Sequence, residues 1–169
     1  MKKFVLILGL LAAFTITPLA QSALHVGAPA PLFSAAAIDG RPVTLDELKG
    51  SVVVLTFWST TCEICRSEFP KLNKLIQSYG DKNVVFIAPT INNETNINAF
   101  LTKNQLDSRI LPNSLGLVLK YSDRDRDGNL DMGFPNFFVI DQRGFIQYRG
   151  SGYDKTAALG AAIDKLATK

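Results

Sequence analysis

Two cysteines, three positions apart, are the residues of this sequence with the clearest chemical potential. Cys62 and Cys65 follow the apolar run VVVLTFW and open a segment in which apolar residues recur at helical spacing. At the start of a helix, unpaired N–H groups and the helix dipole stabilise a thiolate on the first cysteine. We therefore expect Cys62 to attack a disulfide and Cys65, one turn deeper, to resolve the mixed disulfide that forms.

Half of a zinc site and a static disulfide are the alternative uses of this pair. Zinc usually takes four protein ligands, or three and a water, and the sequence offers no third cysteine and one histidine, His25. A static bridge across three positions closes too small a loop to restrain the unfolded chain much. The spacing therefore favours redox exchange.

The N-terminus has the layout of a secretory signal peptide. A basic start, a short apolar stretch over residues 4–14 and a small-residue exit follow one another. We expect a signal peptide over residues 1–22, with cleavage after Ser22 or Ala23, and one domain over residues 23–169. An uncleaved membrane anchor is the alternative. In the periplasm, or another place outside the cytoplasm, disulfides persist, so a close cysteine pair is either inert or deliberately cycled.

The composition excludes several classes of protein. The chain has 169 residues, and no apolar run reaches the roughly 18 residues that a membrane-spanning helix needs, so a polytopic membrane protein is excluded. Two cysteines are too few for a disulfide-stapled miniprotein. The formal net charge of +3 falls to +1 when Lys2 and Lys3 leave with the signal segment. This balance gives no argument for nucleic acid or anionic lipid as a partner.

The elements that must position the cysteines alternate along the chain. A small hairpin is expected over residues 32–44, and the final helix is expected to be capped by Asp154. The further predicted strands are 52–57, 84–88, 136–140 and 145–149, and the predicted helices are 62–79, 94–105 and 154–165. This order predicts an α/β fold with a mixed central sheet flanked by helices.

These residues also carry a family resemblance. The segment FWSTTCEICRSEFP resembles the active-site signature of the TlpA/ResA-type exported thioredoxins, which include the thioredoxins of cytochrome c maturation. The likeness extends to GAPAPLFSAAAIDGRPVTLDELKG, to FPNFFVIDQRGFI and to the C-terminal helix. The resemblance implies a thioredoxin fold with an N-terminal hairpin extension. It also implies that Cys62 and Cys65 form a redox-active dithiol/disulfide centre that needs no other cofactor.

The resemblance further implies a cis proline opposite the cysteine pair, and the matching position is Pro135. A proline at the entry to a strand fits this role independently, because proline cannot donate to a central ladder. Phe134 stands where such families usually carry a smaller residue, and an ordinary trans proline is the alternative. We expect Phe134 and Pro135 to contact substrate. Trp58 is expected to join them, mainly as a residue that packs beside the pair and shields it.

Glu68 matches an acid that assists proton transfer at the cysteine pair in this family. It lies three residues after Cys65, nearly one helical turn on, and a carboxylate there could exchange protons with the thiols. Thr56 occupies the strand position where ordinary thioredoxins hold a buried aspartate, which leaves Glu68 as the nearby candidate. The alternative is a solvated helix residue that pairs with Arg66 or Lys71.

One segment, residues 123–131, departs from the family pattern. Its sequence, DRDRDGNLD, resembles the start of an EF-hand calcium loop. The candidate ligands are Asp123, Asp125, Asp127, Asn129 and Asp131. Phe134 occupies the position of the bidentate glutamate, and two interleaved arginines would lower the affinity for a cation. A solvated acidic turn is therefore favoured over a metal site.

Together these features predict an exported thiol–disulfide oxidoreductase that reduces protein disulfides. The resemblance implies a disulfide-containing protein substrate, such as apocytochrome c, and a membrane thiol electron donor. We expect a monomer and no nucleic-acid partner. The alternatives are a disulfide-introducing oxidase, a peroxiredoxin-like peroxidase, and a copper- or metal-binding module using the thiols and His25. The peroxiredoxin motif fails at Leu55, and copper-delivery relatives have C-x-x-x-C and a later histidine.

Overall fold

The computed structural model describes residues 24–124 and 127–167, so the predicted signal peptide over residues 1–22 lies outside the described residues. In chain order the strands are β1 (Ser34–Ala36), β2 (Pro42–Thr44), β3 (Val52–Phe57), β4 (Val84–Pro89), β5 (Arg109–Leu111), β6 (Asp123–Arg124), β7 (Leu130–Asp131), β8 (Asn136–Ile140) and β9 (Ile146–Ser151). The helices are α1 (Glu63–Gln77), α2 (Glu94–Leu101), α3 (Leu115–Tyr121) and α4 (Thr156–Asp164). A single 3₁₀ turn in the described chain spans Leu45–Leu48. In this part of the chain, no helix is both long and apolar enough to cross a membrane.

The centre of the described fold is a mixed sheet of five strands in the order β5-β4-β3-β8-β9. The first three strands are parallel, and β8 and β9 are antiparallel to their neighbours. Phe57 pairs with Asn136, and Asn136 pairs with Ser151, so the end of β3, the start of β8 and the end of β9 meet. The parallel strand β4 ends there at Pro89. We call this edge, formed by Phe57, Pro89, Asn136 and Ser151, the site edge.

The sheet separates two apolar clusters, and β3 contributes to both because successive side chains point to opposite faces. Val53, Leu55 and Phe57 lie in the cluster that α3 covers. Val52 and Val54 lie in the cluster that also holds buried residues of α1, α2 and α4. All six residues of β3 are buried, as the continuous apolar run predicts for a strand covered on both faces.

Residues 24–44, which we call the N-terminal strap, cover both outer strands of the sheet. The Gly27 N–H donates to the Ile146 carbonyl of β9 at 2.7 Å. The Ile38 N–H, in the turn between β1 and β2, donates to the Ile110 carbonyl of β5 at 2.9 Å. Unpaired strand edges tend to pair with other chains, so the strap protects the sheet from such pairing.

The structure confirms the hairpin, the four further strands and the three helices, and it corrects their ends. The second helix ends at Leu101 rather than at residue 105. The last helix begins at Thr156 with Lys155 as its N-cap, so the prediction that Asp154 caps it is wrong. Asp154 has φ of 56°, in the left-handed region, and lies one residue before the N-cap. Strand β5 and helix α3 were not predicted.

Candidate active site

Cys62 and Cys65 form a disulfide at the site edge, with Cα atoms 5.3 Å apart. Cys62 is the N-cap of α1, and its Sγ accepts the Cys65 N–H at 3.0 Å. This confirms the prediction that the pair opens a helix after β3. Cys62 is partly exposed, whereas Cys65 has no exposed surface. A substrate therefore reaches Cys62 first, as the roles predicted for the two cysteines require.

The loop that presents Cys62 is held by hydrogen bonds from the neighbouring loop. The Cys62 N–H donates to the Ser59 carbonyl at 3.1 Å, which closes a turn. The Asn92 side-chain oxygen accepts the Thr60 N–H at 3.0 Å and the Thr90 hydroxyl at 2.9 Å. The sequence analysis missed Asn92. Its place after a buried strand parallel to β3 is a signal, because the carboxyl ends of parallel strands meet at one edge.

Trp58 lies beneath this loop with no exposed surface. Its indole N–H donates to the Ala88 carbonyl at 3.3 Å, and its ring centroid lies 5.4 Å from that of Phe69 and 5.5 Å from that of Phe100. This burial corrects the expectation that Trp58 contacts substrate. The contacts agree with a residue that packs under the cysteine loop and shields it.

The Phe134–Pro135 peptide bond is cis, as the resemblance implied. Pro135 is buried and directly precedes Asn136, which pairs with Phe57, so the proline lies at the site edge. Phe134 is partly buried and, like Cys62, packs against the apolar cluster that includes Cys65. The structure therefore brings Phe134 and Pro135 to the same edge as the cysteine pair, and their contact with substrate stays a prediction.

Glu68 is a buried carboxylate one turn after Cys65, with 2% of its surface exposed. Among the described residues it accepts hydrogen bonds from three donors: Lys71 Nζ at 3.1 Å, the Asp154 N–H at 3.2 Å and the Thr156 hydroxyl at 3.4 Å. The alternative of a solvated side chain is therefore wrong, although the pairing with Lys71 is confirmed. The role of Glu68 in proton transfer stays a prediction.

Lys71 connects Glu68 to the turn that follows β9. Its ammonium lies 3.0 Å from the Asp154 carboxylate and 4.7 Å from the centroid of the Tyr153 ring. The hydrogen bonds to Asp154 and then to Glu68 raise the pKa of Lys71, so its side chain is charged at neutral pH. The site thus contains an ion network on the side of α1 that faces this turn.

At the two ends of the acidic segment 123–131, strand β6 pairs antiparallel with β7. Asp123 pairs with the Arg149 guanidinium of β9, and Asp125 lies outside the described residues. Over residues 24–124 and 127–167, no group of three or more His, Cys, Asp or Glu side chains could hold a metal ion. Calcium binding stays the less favoured alternative for this segment, and its first candidate ligand already has a cationic partner.

A family model described as Redoxin matches residues 25–164 of this chain. The thioredoxin-like protein YneN of Bacillus subtilis (strain 168) is 32% identical over 124 residues, which cover 72% of this chain and 68% of YneN. The thiol–disulfide oxidoreductase ResA of Geobacillus thermodenitrificans is 28% identical over 149 residues, which cover 85% of this chain and 82% of that ResA. Several other ResA proteins match over 65 residues, 38% of their own length.

The fold also has a counterpart among solved structures. A Chlorobium tepidum protein described as a thiol:disulfide interchange protein DsbE superposes with a TM-score of 0.68 at 25% identity. The superposition covers 85% of this chain and 98% of that protein. The predicted thioredoxin fold with a mixed central sheet is therefore confirmed.

Proposed function

Because this chain belongs to the redoxin family, as a TlpA/ResA-like thiol–disulfide oxidoreductase, we propose that it reduces disulfides of proteins outside the cytoplasm. The observation that carries the proposal is the disulfide between a partly exposed Cys62 at a helix start and a fully buried Cys65. An attacking thiol must meet the substrate, whereas a resolving thiol must meet only its partner. The difference in exposure between the two cysteines supports this division of roles.

The reduced enzyme supplies two electrons in two exchange steps. The Cys62 thiolate attacks one sulfur of the substrate disulfide, and the other substrate sulfur leaves and takes up a proton. Cys65 then loses its proton and attacks the Cys62 sulfur of the mixed disulfide. The second substrate thiol is released, and the Cys62–Cys65 disulfide seen in the structure forms. The start of α1 stabilises the Cys62 thiolate that begins the reaction.

We assign the proton transfers to Glu68. Its carboxylate lies one turn after Cys65 on α1 and is shielded from water. A carboxylate in this place can take the proton of the Cys65 thiol and return it to a departing thiolate. The Phe134–Pro135 segment is proposed to hold the substrate backbone as a short added strand at the site edge.

The support for the proposed cellular location and partners comes from patterns in the sequence. The signal-peptide pattern over residues 1–22 supports export to the periplasm or an equivalent compartment. The TlpA/ResA resemblance supports a membrane thiol donor as the source of electrons and apocytochrome c as a candidate substrate. We further propose that the protein acts as a monomer.

Trapping the mixed disulfide tests the exchange mechanism. In a Cys65→Ser variant expressed with its N-terminal segment, Cys62 can attack a substrate but nothing resolves the product. We expect covalent complexes that dithiothreitol releases and that a Cys62→Ser, Cys65→Ser double variant does not form. If no such complexes accumulate, the exchange role is wrong.

The reduction potential distinguishes a reductase from a disulfide-introducing oxidase with the same geometry. A reductase is expected near the thioredoxin value of about −270 mV, and a strong oxidase near about −120 mV.

Titration of the reduced protein with Cu(I) and Zn(II) tests the metal-binding alternative. Tight stoichiometric binding without disulfide reduction would overturn the proposed function.

A further inference from the structure

The turn between β9 and α4 presents a tyrosine at the site edge. Tyr153 is 60% exposed, which places it among the most exposed large apolar side chains of the described chain. The backbone on either side of it is left-handed, with φ of 82° at Gly152 and 56° at Asp154. Residues other than glycine rarely adopt this conformation. The contacts of the turn must therefore hold its shape.

The turn is attached to both halves of the redox site. The Gly152 N–H donates to the carbonyl of the cis residue Pro135 at 2.9 Å. Two residues later, the Asp154 N–H donates to the buried Glu68 carboxylate at 3.2 Å. Tyr153 lies between these two attachments, so its backbone is fixed relative to the cysteine helix and to the proline loop.

Lys71 fixes the orientation of the tyrosine ring. Its ammonium lies 4.7 Å from the ring centroid and is itself held by Glu68 and Asp154. A cation over an aromatic face is attractive, and here it occupies one face of the ring. Because Tyr153 remains largely exposed, the remaining surface of the ring is available to another molecule.

Ile64, between the two cysteines, lies on the same side of α1 as this turn. It precedes Glu68 by four residues and Lys71 by seven, a spacing that places all three on one helix face. Ile64 is 43% exposed although it is a large apolar residue. Ile64 and Tyr153 are thus two exposed apolar side chains, one on the cysteine helix and one on the turn that its Glu68 and Lys71 contact.

We propose that Tyr153 determines substrate specificity by binding, together with Ile64, the apolar side chains that flank a cysteine in an extended polypeptide. This inference rests on the proposed reductase function and narrows its substrates to polypeptide disulfides with apolar neighbours. A tyrosine offers a large contact area with few rotatable bonds, which is why it is frequent at the centres of binding surfaces. A small disulfide without flanking residues cannot use this surface.

Two disulfide-linked peptides test the inference, one with leucine and phenylalanine beside its cysteines and one with serine at the same positions. We expect the wild-type protein to prefer the apolar peptide in kcat/KM. Tyr153→Ala should reduce this preference roughly tenfold, mainly through KM, and Ile64→Ala should reduce it in the same direction. Tyr153→Phe should retain it, because the ring and its contact with Lys71 remain.

Leu115→Ala is the matched control, since it removes another exposed apolar side chain, 55% exposed, from α3 on the opposite face of the sheet. It should leave the preference unchanged. If wild type and Tyr153→Ala prefer the apolar peptide equally, the inference is wrong. It is also wrong if Tyr153→Ala loses this preference but its reduction potential shifts as well, because the change then lies in the redox centre. If the wild-type protein reduces both peptides equally well, the reductase function stands and the specificity does not. If it reduces neither peptide and no small disulfide, the proposed function itself fails.

Discussion

A carboxylate with almost no exposure costs free energy unless donors surround it. Glu68 has such donors in the Lys71 ammonium, the Asp154 N–H and the Thr156 hydroxyl. These groups surround the carboxylate one turn after the buried Cys65. A residue that only covered the helix surface would not need this arrangement, which is why a chemical role for Glu68 is the stronger interpretation.

The Glu68→Gln variant tests this role. The amide oxygen can still accept the Asp154 N–H, so the turn after β9 should stay in place, but the side chain can no longer take up a proton. We expect thiol–disulfide exchange to slow by about a hundredfold. Stopped-flow kinetics with a peptide disulfide measure this rate.

Glu94→Gln is the control for this change, because it removes the same charge from an exposed position on α2. Its exchange rate should match the wild type. A Glu68→Gln protein with a wild-type exchange rate would show that the carboxylate does not carry the proton.

At the residue scale, the sequence revealed the site only where its signals are local. Cys62, Cys65 and Pro135 stand in motifs that can be recognised within a few residues. The contact of Glu68 with Asp154 joins positions 86 residues apart, so no local sequence pattern predicts it. The complete burial of Trp58 likewise depends on side chains from α1 and α2 that the sequence does not place.

At the scale of elements, the turn between β8 and β9 is organised by one buried aspartate. Asp141 accepts the backbone N–H groups of Arg143 at 3.0 Å and Phe145 at 2.9 Å, and the Gln147 amide at 2.9 Å. The Arg143 guanidinium completes the set at 3.2 Å. Burial alone would raise the pKa of Asp141, but these hydrogen bonds together hold the pKa below its usual value.

Asp141→Asn should therefore destabilise the protein and change its response to acid. A lowered folded-state pKa means that the ionised carboxylate adds stability above the unfolded-state pKa, and that this stability is lost as pH falls through the folded-state pKa. Wild type should lose stability as pH falls below about 4. The variant should be about 1–3 kcal/mol less stable at pH 7 and show a shallower decline in acid, measured by urea unfolding.

Asp39→Asn provides the comparison, since this aspartate lies in the turn between β1 and β2 but is largely exposed. It should change stability little at any pH. If Asp141→Asn unfolds in acid as steeply as wild type, the ionised carboxylate does not supply this stability.

Long apolar runs made β3 and β8 predictable, whereas the missed elements lack such patterns. Strand β5 has three residues, too few to show a period. Helix α3 spans seven residues, contains a glycine and leaves Leu115 and Leu119 exposed, so its apolar residues do not mark one face. Both elements are held by tertiary contacts, since β5 pairs with β4 and the Tyr121 hydroxyl of α3 donates to the Pro31 carbonyl of the strap.

At the scale of the whole molecule, Arg149 fastens the start of the strap. Its guanidinium donates to the Leu24 carbonyl at 2.6 Å and pairs with Asp123 of β6. The same group lies 5.4 Å from the centroid of the Phe138 ring. One side chain of β9 thus joins the strap, β6 and the sheet.

Arg149→Met should release this junction while keeping a side chain of similar length on the sheet. We expect a loss of about 1–3 kcal/mol in unfolding free energy, because a charged hydrogen-bonded pair is removed. Hydrogen exchange of the Gly27 and Ala30 amides should accelerate, since Gly27 donates to the Ile146 carbonyl of β9 and Ala30 to the Gly144 carbonyl just before β9. Hydrogen exchange of the β3 amides should accelerate only as much as the loss of global stability requires.

Lys49→Met, which removes one cation from an exposed ion pair, is the matched variant. It should leave the strap amides protected. Unchanged protection of Gly27 and Ala30 in Arg149→Met would show that the strap is held by its backbone pairing alone.

The strap also constrains the order in which the chain can fold as it is made. Leu24 and Arg149, which are hydrogen bonded, are 125 residues apart, so the partner of the strap is synthesised long after the strap itself. Contacts of such large sequence separation form slowly and late. Until β9 has been translated, the sheet lacks its last strand, and the start of the strap has no strand to bind. A nascent chain of this protein should therefore remain open through most of its synthesis, the state in which a polypeptide can be threaded across a membrane.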